Sequence, residues 1–279
     1  MAIGLLAKLV TEVAKTDVGK EFTKKLEGSE LKKTISVIEQ IEKVKNMPLQ
    51  QLEYINDKIV EEKANEIKKG LIDEEKSKIK EETGWSDEIV DAIGSIEEYE
   101  AQKEEIKNNP NLTDEQKETY LKQCDAVIVA IKNGTEKLSN QEKGNFGEMC
   151  TDLDMLKKGY IRISDGAVSD LSQNLKTGID GVYENLSGNI IYFIADSKYG
   201  SSQLQYTQDG KQLSDTWIDR RLDEAVGKEK ADEIRFEQIE NPENVGVFIA
   251  HIDENGNVSY ETVDSDGNTV KNKEVFQNE

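Results

Sequence analysis

Residues 178–200 have the sequence GIDGVYENLSGNIIYFIADSKYG, and this stretch decides the fold. Two extended runs, Ile179–Tyr183 and Ile190–Tyr199, lie on either side of LSGN at 186–189. Runs rich in β-branched and aromatic residues around a short loop with glycine and asparagine are typical of a β-hairpin. We therefore predict that this stretch forms two neighbouring antiparallel strands of a sheet.

The predicted hairpin brings two carboxylates and one lysine together. Folding the chain back at the loop places Asp180 opposite Asp196, to within one residue of register. Asp196 and Lys198 share a face because side chains alternate along a strand. The strand before Asp196 is apolar enough to be buried, and buried charge is costly unless it is paired or binds a metal. The sequence therefore predicts a divalent-metal site at this hairpin.

The composition limits the classes of function. The chain has 279 residues and a formal net charge of −21, and its length suits one large domain or two ordinary ones. His251 is the only histidine, which excludes two-histidine ribonuclease mechanisms, HNH-type nucleases and HExxH metalloproteases. It ends an apolar strand pattern, where we expect a structural role. Two cysteines, Cys124 and Cys150, are too few for a disulfide framework, so we expect buried free thiols. A disulfide between them is the alternative if the protein is exported.

The pattern changes near residue 140. Residues 1–140 show helical spacing of Ile, Leu and Val throughout, whereas residues 141–279 add glycine, aromatic residues and alternating runs. We predict an α+β fold, with an all-helical domain at 1–140 followed by an αβ domain with a central mixed sheet at 141–279. We predict helices at Thr34–Val44, Leu49–Lys68, Ser86–Lys107, Asp114–Lys132, Glu142–Lys157 and Ser214–Val226. Further strands are predicted at Tyr160–Ile163, Val245–Ile252 and Val258–Val263.

The N-terminal residues bear on membrane contact. No apolar run approaches the roughly 18 residues needed to span a bilayer, so we predict no stable transmembrane segment. Residues 1–15 lack the small-residue cleavage site of a signal peptide, and their apolar residues form one face of an amphipathic helix. That face suits either membrane contact by the N-terminal half or packing against the following helices.

A third acidic group, the fourth group of the site, is expected from the helix before the hairpin. KGNFGEMCTDLDMLKKGY, residues 143–160, offers Glu148 and Asp152, and helical periodicity places Asp152 nearer the apolar stripe. A metal-dependent phosphodiesterase needs carboxylates for one or two divalent ions and a cation that orients water or stabilises charge on the phosphate. Asp180, Asp196 and Lys198 supply three such groups. Periodicity alone does not select Glu148 as the fourth.

The order of these residues resembles that of the PD-(D/E)xK nuclease superfamily, and this resemblance selects Glu148. Four segments resemble nuclease domains at the C-terminal ends of bacterial polymorphic toxins: KGNFGE (143–148), GIDGVYE (178–184), ADSKYG (195–200) and GKQLSDTWIDRRL (210–222). Those toxins include zinc-dependent DNases of contact-dependent growth inhibition. The resemblance covers about residues 141–225, and Ile179 stands where the superfamily has a proline. ETGWSDEIVDAIGSIEEYE, residues 82–100, resembles a segment upstream of such toxin domains, which implies a delivery or entry region within 1–140.

The resemblance implies a metal-dependent endonuclease used in bacterial competition. Glu148, Asp180 and Asp196 would bind Mg, Mn or Zn, and Lys198 would be the fourth catalytic residue. DNA is favoured as the substrate, and a tRNA-cleaving toxin on the same fold is an alternative. Such a protein is secreted or delivered from the cell surface as part of a larger toxin, acts in the target-cell cytoplasm and is neutralised by a cognate immunity protein.

Several basic residues are candidates for contact with nucleic acid. Lys211, Arg220 and Arg221 suit phosphate contacts, although Arg220 and Arg221 also suit pairing with nearby aspartates. Arg162 is a further candidate for a basic track, with a solvated surface position as the default expectation. The acidic net charge opposes nucleic-acid binding, because phosphate contacts dominate its affinity. A non-catalytic acidic interaction protein, in which Asp180 and Asp196 are turn or surface residues, is therefore a competing hypothesis.

Overall fold

The structure is a computed structural model that describes residues 76–81, 83, 86–174, 177–185 and 190–270. These residues all belong to one compact unit, Lys68–Glu279. The amphipathic N-terminal segment, the two predicted helices before residue 70 and the predicted 186–189 loop lie outside the described residues.

The described part of the chain is α+β, as predicted. Residues 76–81 are helical, and the labelled helices are α1 (Asp87–Asn108), α2 (Asp114–Asn133), α3 (Asn140–Lys157), α4 (Asp215–Val226) and α5 (Lys228–Glu240). The strands are β1 (Ile161–Arg162), β2 (Gly181–Glu184), β3 (Tyr192–Tyr199), β4 (Tyr206–Thr207), β5 (Gly210–Lys211), β6 (Val245–Ile252) and β7 (Val258–Thr262). Single 3₁₀ turns occur at Thr135–Lys137 and Pro242–Asn244.

The main sheet is mixed, with the strand order β1-β2-β3-β6-β7. Strand β3 is antiparallel to β2 and parallel to β6, and β7 returns antiparallel to β6. A parallel pair needs a long crossover connection, and α4 and α5 lie in the segment that joins β3 to β6. Strands β4 and β5 form a separate small hairpin within that connection. Strands β6 and β7, both expected from the sequence, form a second hairpin that completes the sheet.

Helices cover both faces of the sheet, because β3 supplies apolar side chains to each. Phe193 and Ala195 belong to a buried cluster with Met155 of α3. Ile194, which alternates with them, belongs to a cluster with Trp217 of α4. Alternating burial on both sides explains why the first four residues of this strand are all apolar. Asp196, the fifth residue, therefore directly follows a buried apolar run.

Helices α1 and α2 pack in the same core as α3. Their buried side chains form one cluster with those of α3 and with Ala250 and Ile252 of β6. Polar contacts add to this packing: Tyr99 Oη donates to the Gly256 carbonyl at 2.8 Å, and Gln102 Nε2 donates to the Leu153 carbonyl at 2.7 Å. Among the described residues, the change of sequence pattern near residue 140 therefore falls inside one core.

Local sequence signals explain several element boundaries. Thr113 accepts a hydrogen bond from the Gln116 amide while the Gln116 side chain accepts one from the Thr113 amide, and this capping box begins α2 as expected. Ser139 and Glu142 form the same arrangement at α3, which begins two residues earlier than predicted. Helix α5 was not predicted. Its sequence, KEKADEIRFEQIE, buries only Ala231 and Ile234, so it carries little apolar periodicity.

Other expectations concern single residues and the membrane. Cys124 and Cys150 are buried free thiols, which confirms the expected state. His251 Nε2 lies 3.2 Å from Glu261 Oε2 on the neighbouring strand, in line with a structural role. None of the helices in the described part of the chain combines the length and apolar character required to cross a bilayer.

Candidate active site

The predicted hairpin forms with the expected register. Gly181 pairs with Ala195, so the next step of the ladder places Asp180 opposite Asp196. Asp180 lies one residue before β2, and its Oδ2 accepts a hydrogen bond from the Ser197 amide at 2.8 Å. The side chain of Asp180 therefore reaches across to the strand that carries Asp196 and Lys198.

Asp196 lies at the buried end of the site. Asp196 is 1% exposed, and its Oδ2 forms an ion pair with Lys198 Nζ. That oxygen has no hydrogen bond beyond this pairing, and Oδ1 has only a long contact of 3.5 Å with Gln212 Nε2. The Lys198 side chain is 12% exposed, so the ion pair is largely withdrawn from water. An under-coordinated buried carboxylate of this kind has spare acceptor capacity for a cation.

Helix α3 presents two acidic side chains one turn apart, and the structure separates their roles. Glu148 lines a cavity of about 440 Å³ together with Asp180. Asp152 is fully buried, and its oxygens accept hydrogen bonds from Arg162, Tyr183 and Gln123. Asp152 is therefore saturated by protein donors, whereas Glu148 faces open space beside the hairpin. Of the two, Glu148 is the residue that lies at the cavity with Asp180.

The carboxylates of the site are coupled electrostatically. Burial raises the pKa of Glu148 to about 7; the charges of Asp152 and Asp196 raise it as well, and those of Arg162 and Lys198 oppose the rise. Burial also raises the pKa of Asp180 well above its usual range, with added repulsion from Asp196 and Glu148. Burial raises the pKa of Asp196 too, while the charge of Lys198 lowers it. Groups of this kind are typical of functional sites.

The raised pKa of Glu148 predicts a pH-dependent stability difference. The unfolded chain ionises this group near pH 4.5, whereas the folded chain retains the proton until about pH 7. The folded state therefore loses stability as the pH rises through this interval. We expect Glu148→Gln, which removes the loss, to gain free energy of unfolding relative to the wild type between about pH 4.5 and 7. Urea denaturation in EDTA measures this difference; a constant difference across the interval contradicts the prediction.

The donor set fits a divalent cation, but the side chains are not arranged around one. Carboxylate oxygens are preferred ligands of Mg²⁺ and are accepted by Zn²⁺, and mutual repulsion among Glu148, Asp180 and Asp196 favours a cation between them. Within the described ranges, no group of three or more His, Cys, Asp or Glu side chains has metal-binding geometry. Lys198 already neutralises Asp196. A divalent cation at this site therefore competes with Lys198 for Asp196.

The three basic side chains predicted to contact nucleic acid all have partners within the protein. Arg220 Nη1 and Arg221 Nη2 both pair with Asp209, at 2.5 and 2.8 Å, and not with the neighbouring aspartates of α4. The Arg221 guanidinium also lies over the Trp217 ring at 4.4 Å and lines the 440 Å³ cavity. Lys211 Nζ donates to Asn268 Oδ1 at 3.0 Å. Arg221 is thus the predicted contact that lies next to the carboxylates.

Arg162 departs from its expected surface position. Its side chain is 7% exposed and forms an ion pair with Asp152, with Nη1 to Oδ1 at 2.7 Å. Sequence reasoning placed it on the surface because arginine rarely lies buried without a partner, and the partner is ten residues away on another element. The available signal was Asp152 itself: an acidic residue near the apolar stripe of α3 requires a buried donor.

A larger cavity of about 580 Å³ lies elsewhere, between α5 and strands β6 and β7. Its wall includes Val245, Val247 and Phe248 and carries the paired Arg235 and Asp219. It contains none of the coupled carboxylates of the hairpin. Chemistry depends on the convergence of reactive groups rather than on volume, so we assign the candidate site to the smaller cavity.

Comparison of the chain with family models, curated proteins and solved structures finds no match in any of the three.

Proposed function

We propose that this chain is a metal-dependent nuclease of the PD-(D/E)xK type. The observation that carries the proposal is the convergence of Glu148, Asp180, Asp196 and Lys198 from α3, the start of β2 and the middle of β3. Glu148 and Asp180 line the cavity, and Asp196 and Lys198 form a largely buried pair on the strand next to Asp180. Three carboxylates and a lysine are the groups that phosphodiester hydrolysis requires. Their order along the chain is that of the superfamily.

Each residue has a distinct role in this proposal. Glu148, Asp180 and Asp196 would hold the divalent metal, which when bound supplies positive charge and Lewis acidity at the phosphate. Lys198 supplies a fixed ammonium group that positions the attacking water and stabilises the charge that develops on the scissile phosphate. Without a metal, Asp196 holds this ammonium group in place through their ion pair. The burial of both groups strengthens these interactions relative to water.

The proposed substrate is nucleic acid, with DNA favoured over tRNA by resemblance alone. Arg221 at the cavity and the more exposed Arg220 and Lys211 are the proposed phosphate contacts. A net charge of −21 repels a polyanion at long range, so we expect weak binding that falls steeply with salt. As part of a delivered toxin, the chain would also bind a cognate immunity protein that covers the cleft.

A non-catalytic interaction protein is the second candidate. Two observations favour it: the ion pair that already neutralises Asp196, and the lack of a metal-binding arrangement among the described residues. In that case Lys198 and Asp196 are a structural pair, and their replacement changes stability without affecting any reaction.

Cleavage by the purified full chain tests the proposal. Plasmid DNA and total tRNA are incubated with Mg²⁺, Mn²⁺, Zn²⁺ or EDTA, beside the variants Asp196→Asn and Asp154→Asn. We expect metal-dependent cleavage that Asp196→Asn reduces by at least about 10²-fold, because the site loses a charged ligand. Asp154→Asn is the matched control, since Asp154 pairs with Lys158 at 2.8 Å, elsewhere on α3. No cleavage of either substrate with any metal would favour the interaction protein.

A further inference from the structure

A buried network of charged and polar groups lies directly behind the site. Asp152 is at its centre, and none of its surface is exposed. Its Oδ1 accepts hydrogen bonds from Arg162 Nη1 and Tyr183 Oη, both at 2.7 Å, and its Oδ2 accepts one from Gln123 Nε2 at 2.6 Å. The network thus joins α2, α3, β1 and β2.

Arg162 connects this network to the proposed metal ligands. Its three nitrogens donate in different directions: Nη1 to Asp152 and Nη2 to the Asp180 carbonyl, each at 2.7 Å, and Nε to the Ser164 carbonyl at 3.2 Å. It also lines the cavity beside Glu148, and its charge opposes the rise in the Glu148 pKa. Arg162 therefore binds the backbone of Asp180 and also acts electrostatically on the carboxyl group of Glu148.

The hydrogen bond to Asp180 matters because of the position of that residue. Asp180 lies beyond Gly181–Ala195, the last pair of the β2–β3 ladder, so the sheet does not hold its carbonyl. A backbone carbonyl that is partly withdrawn from water needs a donor, and Arg162 supplies it. The same contact fixes the backbone from which the Asp180 carboxylate projects.

We propose that Arg162 is a positioning residue for the metal site, held in place by Asp152. This proposal rests on the proposed function. Arg162 is almost fully buried and each of its nitrogens already has a protein partner, so it holds the ligands and does not itself contact substrate. The planar guanidinium makes these three contacts at fixed angles, which the single ammonium group of lysine cannot reproduce.

The test is Mn²⁺ or Zn²⁺ binding by the full chain, measured by titration calorimetry for the wild type, Arg162→Lys and Arg235→Lys. Arg235 is the matched control: it is a partly buried arginine that pairs with Asp219 and Asp223, away from the carboxylates. We expect Arg162→Lys to weaken metal binding by about 10-fold or more, as loss of a group that orients metal ligands does, and Arg235→Lys to bind as the wild type. In cleavage assays, we expect Arg162→Lys to lower kcat while the KM for nucleic acid stays unchanged.

Three results separate the possible failures. Wild-type metal affinity in a folded Arg162→Lys overturns the positioning role and leaves the nuclease proposal intact. A wild type that binds neither metal overturns the proposed function, and the positioning role with it. If Arg162→Lys does not fold, Tyr183→Phe decides, because it removes one hydrogen bond to Asp152 and leaves Arg162 present. We then expect about fivefold weaker metal binding, and unchanged binding overturns the proposal.

Discussion

Asp152→Ala is expected to lower the free energy of unfolding by about 3–5 kcal/mol, because it removes one partner of a buried ion pair. The change leaves the Arg162 charge without its counter-ion and takes away the acceptor for Tyr183 and Gln123. The low dielectric of the interior makes each unpaired group costly. Urea denaturation at pH 7 in EDTA measures the loss directly.

Two further variants establish the cause of that loss. Asp219→Ala removes a carboxylate that pairs with Arg235 near the surface, where an ion pair contributes about 0–1 kcal/mol, and we expect a loss of this size. The double variant Asp152→Ala/Arg162→Met removes both charges, and we expect it to be more stable than Asp152→Ala alone. A double variant that is less stable than the single one would show that packing, not the unpaired charge, explains the effect.

The sequence predicts the hairpin well because its geometry is local. The alternating pattern of residues 178–200 predicted the hairpin, and the register of β2 on β3 then placed Asp180 opposite Asp196. Side-chain alternation also put Asp196 and Lys198 on one face. These predictions succeed because strand pairing in a hairpin depends on residues that are close in sequence.

The parts that the sequence did not predict depend on contacts between distant segments. A helical wheel ranked Asp152 nearer the core than Glu148, but only the position of Arg162 explains why Asp152 is saturated and Glu148 faces the cavity. Arg220 and Arg221 pair with Asp209, in the turn of the β4–β5 hairpin, and periodicity along α4 gives no sign of that partner. Helix α5 leaves Phe236 and Ile239 exposed, so its periodicity is weak even though the helix forms.

Lys198→Met is expected to abolish cleavage without abolishing metal binding. The variant removes the ammonium group that would stabilise the phosphate, and loss of one such donor lowers kcat by about 10²–10³-fold. It also removes the ion-pair partner of Asp196 Oδ2, the oxygen that has no hydrogen bond. Because Lys198 and the cation compete for this carboxylate, Mn²⁺ should bind the variant at least as tightly as the wild type.

Asp196→Asn should lose both metal binding and cleavage, and the contrast between the two variants distinguishes a ligand from a catalytic cation. Lys230→Met is the matched control, since Lys230 is a part-buried lysine that pairs with Glu184 at 3.1 Å, at the far end of β2. We expect its cleavage rate and Mn²⁺ affinity to equal those of the wild type. If Lys198→Met instead loses Mn²⁺ binding and cleavage together, the lysine organises the carboxylates and its assigned role at the phosphate is wrong.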